Sequence, residues 1–432
     1  MSTAKKVFKF GGASLKDAEA IKNAVNILDN HKKESLFVVV SAMGKTTNDL
    51  EQVVAAHYKQ DGSSLQLWEN IKQKHFQILL DLLQDQKHEA FITLNDAFVE
   101  VDWVLEEEPH DNYDYTYDQI VPIGELSSSI VLHNYLNHIG LQAQWLDARD
   151  IIITDDLFRE GWVQWEPTKE RFQQIALPMC KQDGFVITQG FIGSTTENFS
   201  ITLGREGSDY SAAIFSHCLD AESMTIWKDV PGVLTADPRK FDDVAKLDRL
   251  SYKEAIEMTY YGAKVIHPKT IKPLQNKNIP LLVKSFIEPT GSGTLISAEV
   301  EDNYPPMVAI EATQALLQIS TRDFSFVAEH HMQHLFDKIA QMRLQVNMMQ
   351  NTAISFNICV NDIDDKIDRF KESIEKDFKV VVERGLELIT IRHYNQATLE
   401  SLRGDRLILL ENRIKATVQM VVKEVPILKR KG

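Results

Sequence analysis

A few short segments carry residues whose types and spacing suit anion chemistry. Lys9-Phe10-Gly11-Gly12-Ala13-Ser14 follows an apolar run and precedes a helical pattern with Asp17 in its first turn. Two adjacent glycines at such a junction let backbone N–H groups approach a phosphate, and a helix N-terminus adds positive potential. Lys9 is unusual, because lysines rarely lie in apolar strands without a partner. On this motif alone the plainer alternative, a strand lysine that snorkels, stays open. Thr202-Leu203-Gly204-Arg205-Glu206-Gly207-Ser208-Asp209-Tyr210-Ser211 sets a glycine-flanked arginine ahead of a helix, which suits bidentate capture of a carboxylate. Asp209 enters the first helical turn, where it can cap the helix. Trp227-Lys228-Asp229-Val230-Pro231-Gly232-Val233 and Thr235-Ala236-Asp237-Pro238-Arg239 form a turn-rich loop after a strand, with Lys228 and Arg239 as its cations. Tyr261-Gly262-Ala263-Lys264-Val265-Ile266-His267-Pro268 adds another lysine near a helix end.

Other features carry less. Gly44-Lys45-Thr46 resembles the end of a Walker A loop, but that pattern needs a glycine where Val39 stands. Protein-kinase loop signatures are absent. His330, His331 and His334 read as a solvated helix face in preference to a metal site. The three cysteines, Cys180, Cys218 and Cys359, are far apart and in no metal-ligand spacing, which suits a reducing compartment. Lys and Arg total 47 against 62 for Asp and Glu, a net charge of −15. Such a chain is a poor nucleic-acid binder, and any anion it handles must meet cations gathered locally. No apolar run approaches the ~20 residues of a membrane helix, and the first residues lack a signal-peptide pattern, so a cytoplasmic protein is expected.

The elements that must position these residues fall into two regions. Up to about residue 297, short apolar runs alternate with helical patterns: Val7 to Phe10, Leu36 to Val40, Phe185 to Ile187, Ser223 to Trp227 and Ile279 to Val283 read as buried strands. That alternation predicts an α/β sheet with helices on both faces. A helical insertion, roughly Leu65 to Leu105, separates the second strand from later ones. Glu288-Pro289-Thr290-Gly291-Ser292-Gly293-Thr294 and residues 299–306 mark a boundary. From about residue 308 to 383 the order strand, helix, strand, strand, helix, strand predicts a ferredoxin-like βαββαβ module. A shorter set, about 384–425, predicts an abbreviated second copy.

Taken together the motifs resemble those of the aspartate kinases of the amino-acid kinase family. The Lys-Phe-Gly-Gly opening, Gly124-Glu125-Leu126-Ser127, Thr188-Gln189-Gly190-Phe191, the Arg205 to Ser211 block and the Gly262 to Pro268 block stand in family order. The tail resembles the paired ACT regulatory modules of the same enzymes. The resemblance implies an αβα-sandwich catalytic domain over 1–297 and an ACT-type region over 305–432. It also implies phosphorylation of the aspartate side chain by ATP with Mg²⁺, giving 4-phospho-L-aspartate for lysine, methionine and threonine synthesis. Carried over by motif, Lys9, Gly11, Gly12 and Ser14 would cradle the ATP phosphates, and Lys228, Asp229, Arg239, Lys264 and Val265 would line the nucleotide site. Thr47, Glu125, Phe191, Arg205 and Ser208 would hold the amino acid. Asp209 would organise the lysines Lys9 and Lys264 around the transferred group. No protein metal ligand is implied. The ACT region implies a homodimer or larger homo-oligomer and an amino-acid effector.

Some positions depart from that pattern. Ala13 stands where Thr is usual, Glu206 where Gly is common, and Leu234 where a nucleotide-contacting Tyr often sits. In the tail, Ser325 replaces a Gly and Gln345-Val346-Asn347 replaces Ser-Val-Asp, removing a charge that would pair with a lysine effector. Two alternatives to an aspartate kinase remain: a sister kinase for another amino acid, and a degenerate kinase that only binds amino acids.

Overall fold

The computed structural model describes residues 5–180, 184–262, 266–300, 303–323, 325–363 and 365–424. The chain divides into two compact units: Met1–Val233, Lys246–Ile256 and Val265–Glu301 form the first, and Leu234–Ala245, Glu257–Lys264 and Asp302–Gly432 the second. The sequence placed everything to residue 297 in one domain. Hydrogen bonds and packing show why two segments leave it. Val308 N donates to Thr235 O at 2.8 Å, Arg392 Nη1 to Glu257 Oε2 at 3.0 Å, and Phe241 packs beside Ile389 and Leu399.

In the first unit, strands β1 (Lys5–Phe10), β2 (Ser35–Val40), β3 (Ala143–Leu146), β4 (Phe185–Gln189), β7 (Ser223–Lys228), β8 (Arg249–Ser251), β9 (Leu281–Ser285) and β10 (Thr294–Ser297) form one sheet in the order β3-β4-β2-β1-β7-β9-β10-β8. A hairpin of β5 (Ile192–Ser194) and β6 (Ser200–Thr202) stands apart. The central strands are parallel, and Val7, Phe10 and Phe37 to Val40 are at most 1% exposed, as strands covered on both faces require. Lys9 breaks that run. The strand at 279 begins two residues later than the apolar pattern suggests, because Pro280 has no N–H for the ladder.

The helices of this unit are α1 (Ala18–Asp29), α2 (Thr46–Lys59), α3 (Ser64–Leu83), α4 (Ala90–Glu106), α5 (Tyr113–Ile120), α6 (Ile123–His138), α7 (Trp165–Arg171), α8 (Leu177–Met179), α9 (Gly207–Leu219) and α11 (Pro268–Asn276), with α10 (Tyr252–Tyr260) starting in it. The expected insertion is α3 and α4, whose Trp68 and Phe98 rings meet edge-on. Asp17 caps α1, accepting from Ala20 N at 2.8 Å. The Gly11-Gly12 segment therefore opens a short 3-10 turn, Gly12–Leu15, and the α-helix begins only at Ala18.

The second unit is one antiparallel sheet in the order β12-β13-β11-β14-β16-β15, built from β11 (Met307–Thr321), β12 (Val346–Asn351), β13 (Ser355–Asn361), β14 (Phe378–Arg392), β15 (Leu407–Ile414) and β16 (Thr417–Lys423). Helices α12 (Glu329–Gln341) and α13 (Lys366–Ile374) complete the expected βαββαβ module, and α14 (Gln396–Arg403) serves the second set. That set is not a free-standing truncated copy. β11 and β14 pair along their whole length, Thr321 with Phe378 at one end and Met307 with Arg392 at the other, with a bulge at Thr313. The N-terminal half of β11 thus supplies the fourth strand that the second module lacks in sequence.

Candidate active site

Several of the first unit's segments converge because each follows the carboxyl end of a parallel strand, where open α/β sheets bind ligands. Gly11 follows β1, Ser41 follows β2, Gly190 follows β4 and Asp229 follows β7. β1 lies between β2 and β7, so these ends are neighbours.

At the centre lies a buried charge cluster. Lys9 Nζ is 2.7 Å from Asp209 Oδ1, and Lys228 Nζ is 3.8 Å from Asp209 Oδ2. Asp209 is 3% exposed and Lys9 8%. Burial pushes the Asp209 carboxyl upward, but the charges of Lys9 and Lys228 outweigh it and hold the group below its ordinary value. Asp209 is the third residue of α9, yet its side chain caps nothing. The carboxylate turns inward to Lys9 and Lys228 instead of capping the helix. Trp227, stacked on Phe10 with ring centres 6.1 Å apart, fixes the strand that carries Lys228.

Beside the cluster the backbone is drawn tight. A Cβ on Gly12 would lie 2.7 Å from Ala42 O and 2.9 Å from Gly44 O, so only glycine fits there. Ser14 N and Oγ both donate to Gly11 O. Ala42 N in turn donates to Glu125 Oε1 at 3.2 Å. Glu125, in the first turn of α6, is 3% exposed, and its Oε2 has no hydrogen-bond partner among the described residues. Burial raises its carboxyl to about 8, against the Ala42 and Glu125 N–H groups and the charge of Lys9. A buried carboxylate with an idle oxygen is a receptor for a cation.

The β4 end and the start of α9 also meet closely. A Cβ on Gly190 would lie 2.6 Å from Ser208 Cα. Phe191 adopts a left-handed backbone, φ 69°, held by Phe191 N donating to Ser211 Oγ at 2.9 Å and Leu203 N donating to Phe191 O at 2.8 Å. Such strain persists where surroundings over-determine it, and it clusters at functional sites. Ser211, which also donates to Gly207 O, was quoted in the sequence motif but given no role.

Thr47 is half-buried, next to the start of α2, and Arg205 is exposed between Gly204 and Glu206. Asp229 is exposed just beyond Lys228. Arg239 belongs to the second unit and pairs with Asp237 at 2.8 Å. Leu234 also belongs to the second unit. Lys264 and Val265 lie outside the described residues. His267 accepts from Lys269 N and caps α11, with Pro268 at its first position, so the His-Pro pair is a helix start.

Glu206 also has a left-handed backbone, φ 55°, and its Oε2 is buried without a hydrogen-bond partner among the described residues. Glu206→Gly is therefore expected to stabilise the protein by about 1 kcal/mol, read as a higher urea midpoint at unchanged slope.

The profile of the amino acid kinase family matches residues 4–285. Lysine-sensitive aspartokinase 3 of Escherichia coli K12 is 33% identical over 362 residues, 81% of this chain and 76% of that protein. Bifunctional aspartokinase/homoserine dehydrogenase 2, chloroplastic, of Arabidopsis thaliana is 34% identical over 316 residues, 69% of this chain; the chain spans only 33% of that relative's length. Among solved structures, E. coli aspartokinase III in complex with aspartate and ADP superposes with a TM-score of 0.82 at 26% identity, covering 96% of both chains. The chain belongs to the amino acid kinase family, and within that family to the aspartokinases.

Proposed function

We propose that this chain transfers the γ-phosphoryl group of ATP to the side-chain carboxylate of L-aspartate, forming 4-phospho-L-aspartate and ADP, the entry to lysine, methionine and threonine synthesis. The observation that carries the reading is the buried Lys9–Asp209–Lys228 cluster at the strand ends, beside the idle oxygen of Glu125. A solved relative that binds aspartate and ADP supports the choice of ligands.

The acceptor carboxylate is ionised at neutral pH, with a reference pKa of about 3.9, so no general base is needed. The obstacle is repulsion between an anionic nucleophile and a polyanionic donor. Catalysis then rests on positioning and on fixed positive charge. Two lysines around one carboxylate leave net positive charge in a low-dielectric setting, and Asp209 holds both ammonium groups in place before the phosphates arrive. Gly11, Gly12 and Ser14 offer the tight backbone turn for phosphate oxygens, and Asp229, Arg239, Lys264 and Val265 are assigned to the nucleotide by motif. Glu125 Oε2 takes the α-ammonium of aspartate, and Arg205 takes the α-carboxylate. Thr47, Phe191 and Ser208 shape the space between. With both ends held, only the side-chain carboxylate faces ATP.

The described residues hold no group of three His, Cys, Asp or Glu side chains that would cage a metal. Mg²⁺ would arrive with the nucleotide and supply neutralisation of phosphate charge beside Lys9 and Lys228. The second unit is assigned to effector binding and self-association. No described helix is long and apolar enough to cross a membrane.

The test is turnover with ATP over a panel of amino acids in the presence of hydroxylamine, which traps acyl phosphates as hydroxamates. Hydroxamate with aspartate alone is expected. Hydroxamate with a different acid would reassign the substrate, and binding of aspartate without product would leave a sensor.

A further inference from the structure

We infer that Asp118 is a positioning residue for the amino-acid substrate, setting the span between Glu125 and the Arg205 loop. The inference rests on the roles just proposed for Glu125 and Arg205. Asp118 lies on α5, wholly buried. Its Oδ2 accepts from Arg159 N at 2.8 Å and from Thr202 N at 3.1 Å, and its Oδ1 accepts from Thr202 Oγ1 at 2.7 Å. No described side-chain cation pairs with it directly. The Arg159 guanidinium lies instead over the Tyr117 ring at 4.3 Å and pairs with Asp114. A buried carboxylate that spends its acceptors on two backbone N–H groups and a hydroxyl is holding backbone, at the cost of its own desolvation.

What it holds matters. Thr202 ends β6, and the chain then runs through Leu203 and Gly204 to Arg205. Arg159 is itself left-handed, φ 69°, and its carbonyl oxygen would be 3.3 Å from a Cβ on Gly204. Gly161 N donates to Thr202 O at 3.0 Å, closing the same clasp from the other side. Asp118 thus grips both segments that flank the arginine's base.

The same residue is rigidly tied to the other end of the substrate site. Val121 N donates to Tyr117 O, Gly124 N to Val121 O and Glu125 N to Pro122 O, so the backbone from α5 into α6 stays helical almost without a break. Glu125 follows about two turns after Asp118 on that continuous path. The ammonium receptor and the staple of the carboxylate receptor therefore move as one body. A shift of the Arg205 loop would change the distance between the two grips.

The experiment is steady-state kinetics on Asp118→Ala, Asp118→Asn and Thr202→Val, with Arg205→Ala as control. Asp118→Ala is expected to raise the KM for aspartate about 20-fold while kcat and the KM for ATP change less than about threefold, since displacement by ~1 Å suffices for such losses. Asparagine keeps one oxygen for the two N–H groups and should restore the KM to within about threefold of the natural protein, and Thr202→Val, which removes only the hydroxyl donor, should raise it about fivefold. A folded Asp118→Ala or Thr202→Val protein with unchanged KM for aspartate overturns the inference, because a plain staple would alter thermal stability alone. If Asp118→Ala does not fold, Thr202→Val decides. Should Arg205→Ala leave the KM untouched, the role given to Arg205 fails first, and the two failures are thereby told apart.

Discussion

Lys9→Met is expected to lower kcat about a thousandfold, the scale on which removal of a fixed transition-state charge is felt. The same change should also destabilise the protein. It strips Asp209, only 3% exposed, of its 2.7 Å partner and leaves it Lys228 at 3.8 Å. Breaking a buried pair costs about 3–5 kcal/mol, and the lower end applies because one lysine remains. The two effects separate in a double variant. Adding Asp209→Asn to Lys9→Met removes the orphaned charge, so stability should return in part while turnover stays low. The pH dependence gives a further check. Asp209 has a depressed folded pKa, so its contribution is present above the unfolded value of 3.8 and is lost as pH falls through the folded one. In a Lys9→Met background the stability that Asp209 adds over Asp209→Asn above pH 3.8 should therefore be smaller than in the natural protein. Urea midpoints measured from pH 3 to 7 beside kcat test both halves; equal kcat in a folded Lys9→Met protein removes Lys9 from the chemistry.

The sequence showed the parts of this site that have a local signature. Apolar runs marked the parallel strands because both faces are covered, and Lys9 stood out against its run for the same reason. The glycines were legible because close approach forbids a Cβ at Gly12 and Gly190. What stayed hidden depends on partners far along the chain. Without the resemblance Asp209 could only be read as a possible helix cap, because nothing near it in sequence announces Lys9, which lies about 200 residues away on β1. Asp118 sits in Tyr113-Asp114-Tyr115-Thr116-Tyr117-Asp118, a stretch indistinguishable from a solvated helix, and only its bonds to Arg159 and Thr202 give it meaning. The second module of the tail looked incomplete because the pairing of Met307 with Arg392 joins distant halves of the segment. Arg239 belongs to the second unit although its motif neighbour Lys228 belongs to the first, a division that sequence proximity does not show.

Glu125 makes the amino-acid half of the site the more pH-sensitive one, and the expected result is a kcat/KM for aspartate that climbs between pH 6 and 8 and then levels. Its carboxyl is raised to about 8 by burial, so the empty site is mostly protonated at neutral pH. An ammonium binds the ionised form, and below about pH 8 each unit of pH thins that form up to tenfold, so kcat/KM should fall by up to that factor per unit. The sign for stability is opposite to that of Asp209. A carboxyl whose folded pKa is raised above its unfolded value of 4.5 favours the fold at low pH, and that advantage is lost as pH rises from about 4.5 to about 8. Bound aspartate reverses the trend by supplying the missing partner to Oε2, so the stabilisation it confers should grow with pH over the same window. Glu125→Gln keeps the acceptor for Ala42 N but carries no charge. It should flatten the profile and raise the KM for aspartate about a hundredfold, the upper range for loss of a charge-assisted bond, with the KM for ATP little changed. A natural-protein profile that is level from pH 6 to 9, or one that Glu125→Gln leaves as it was, would mean the idle oxygen faces something other than the substrate's ammonium.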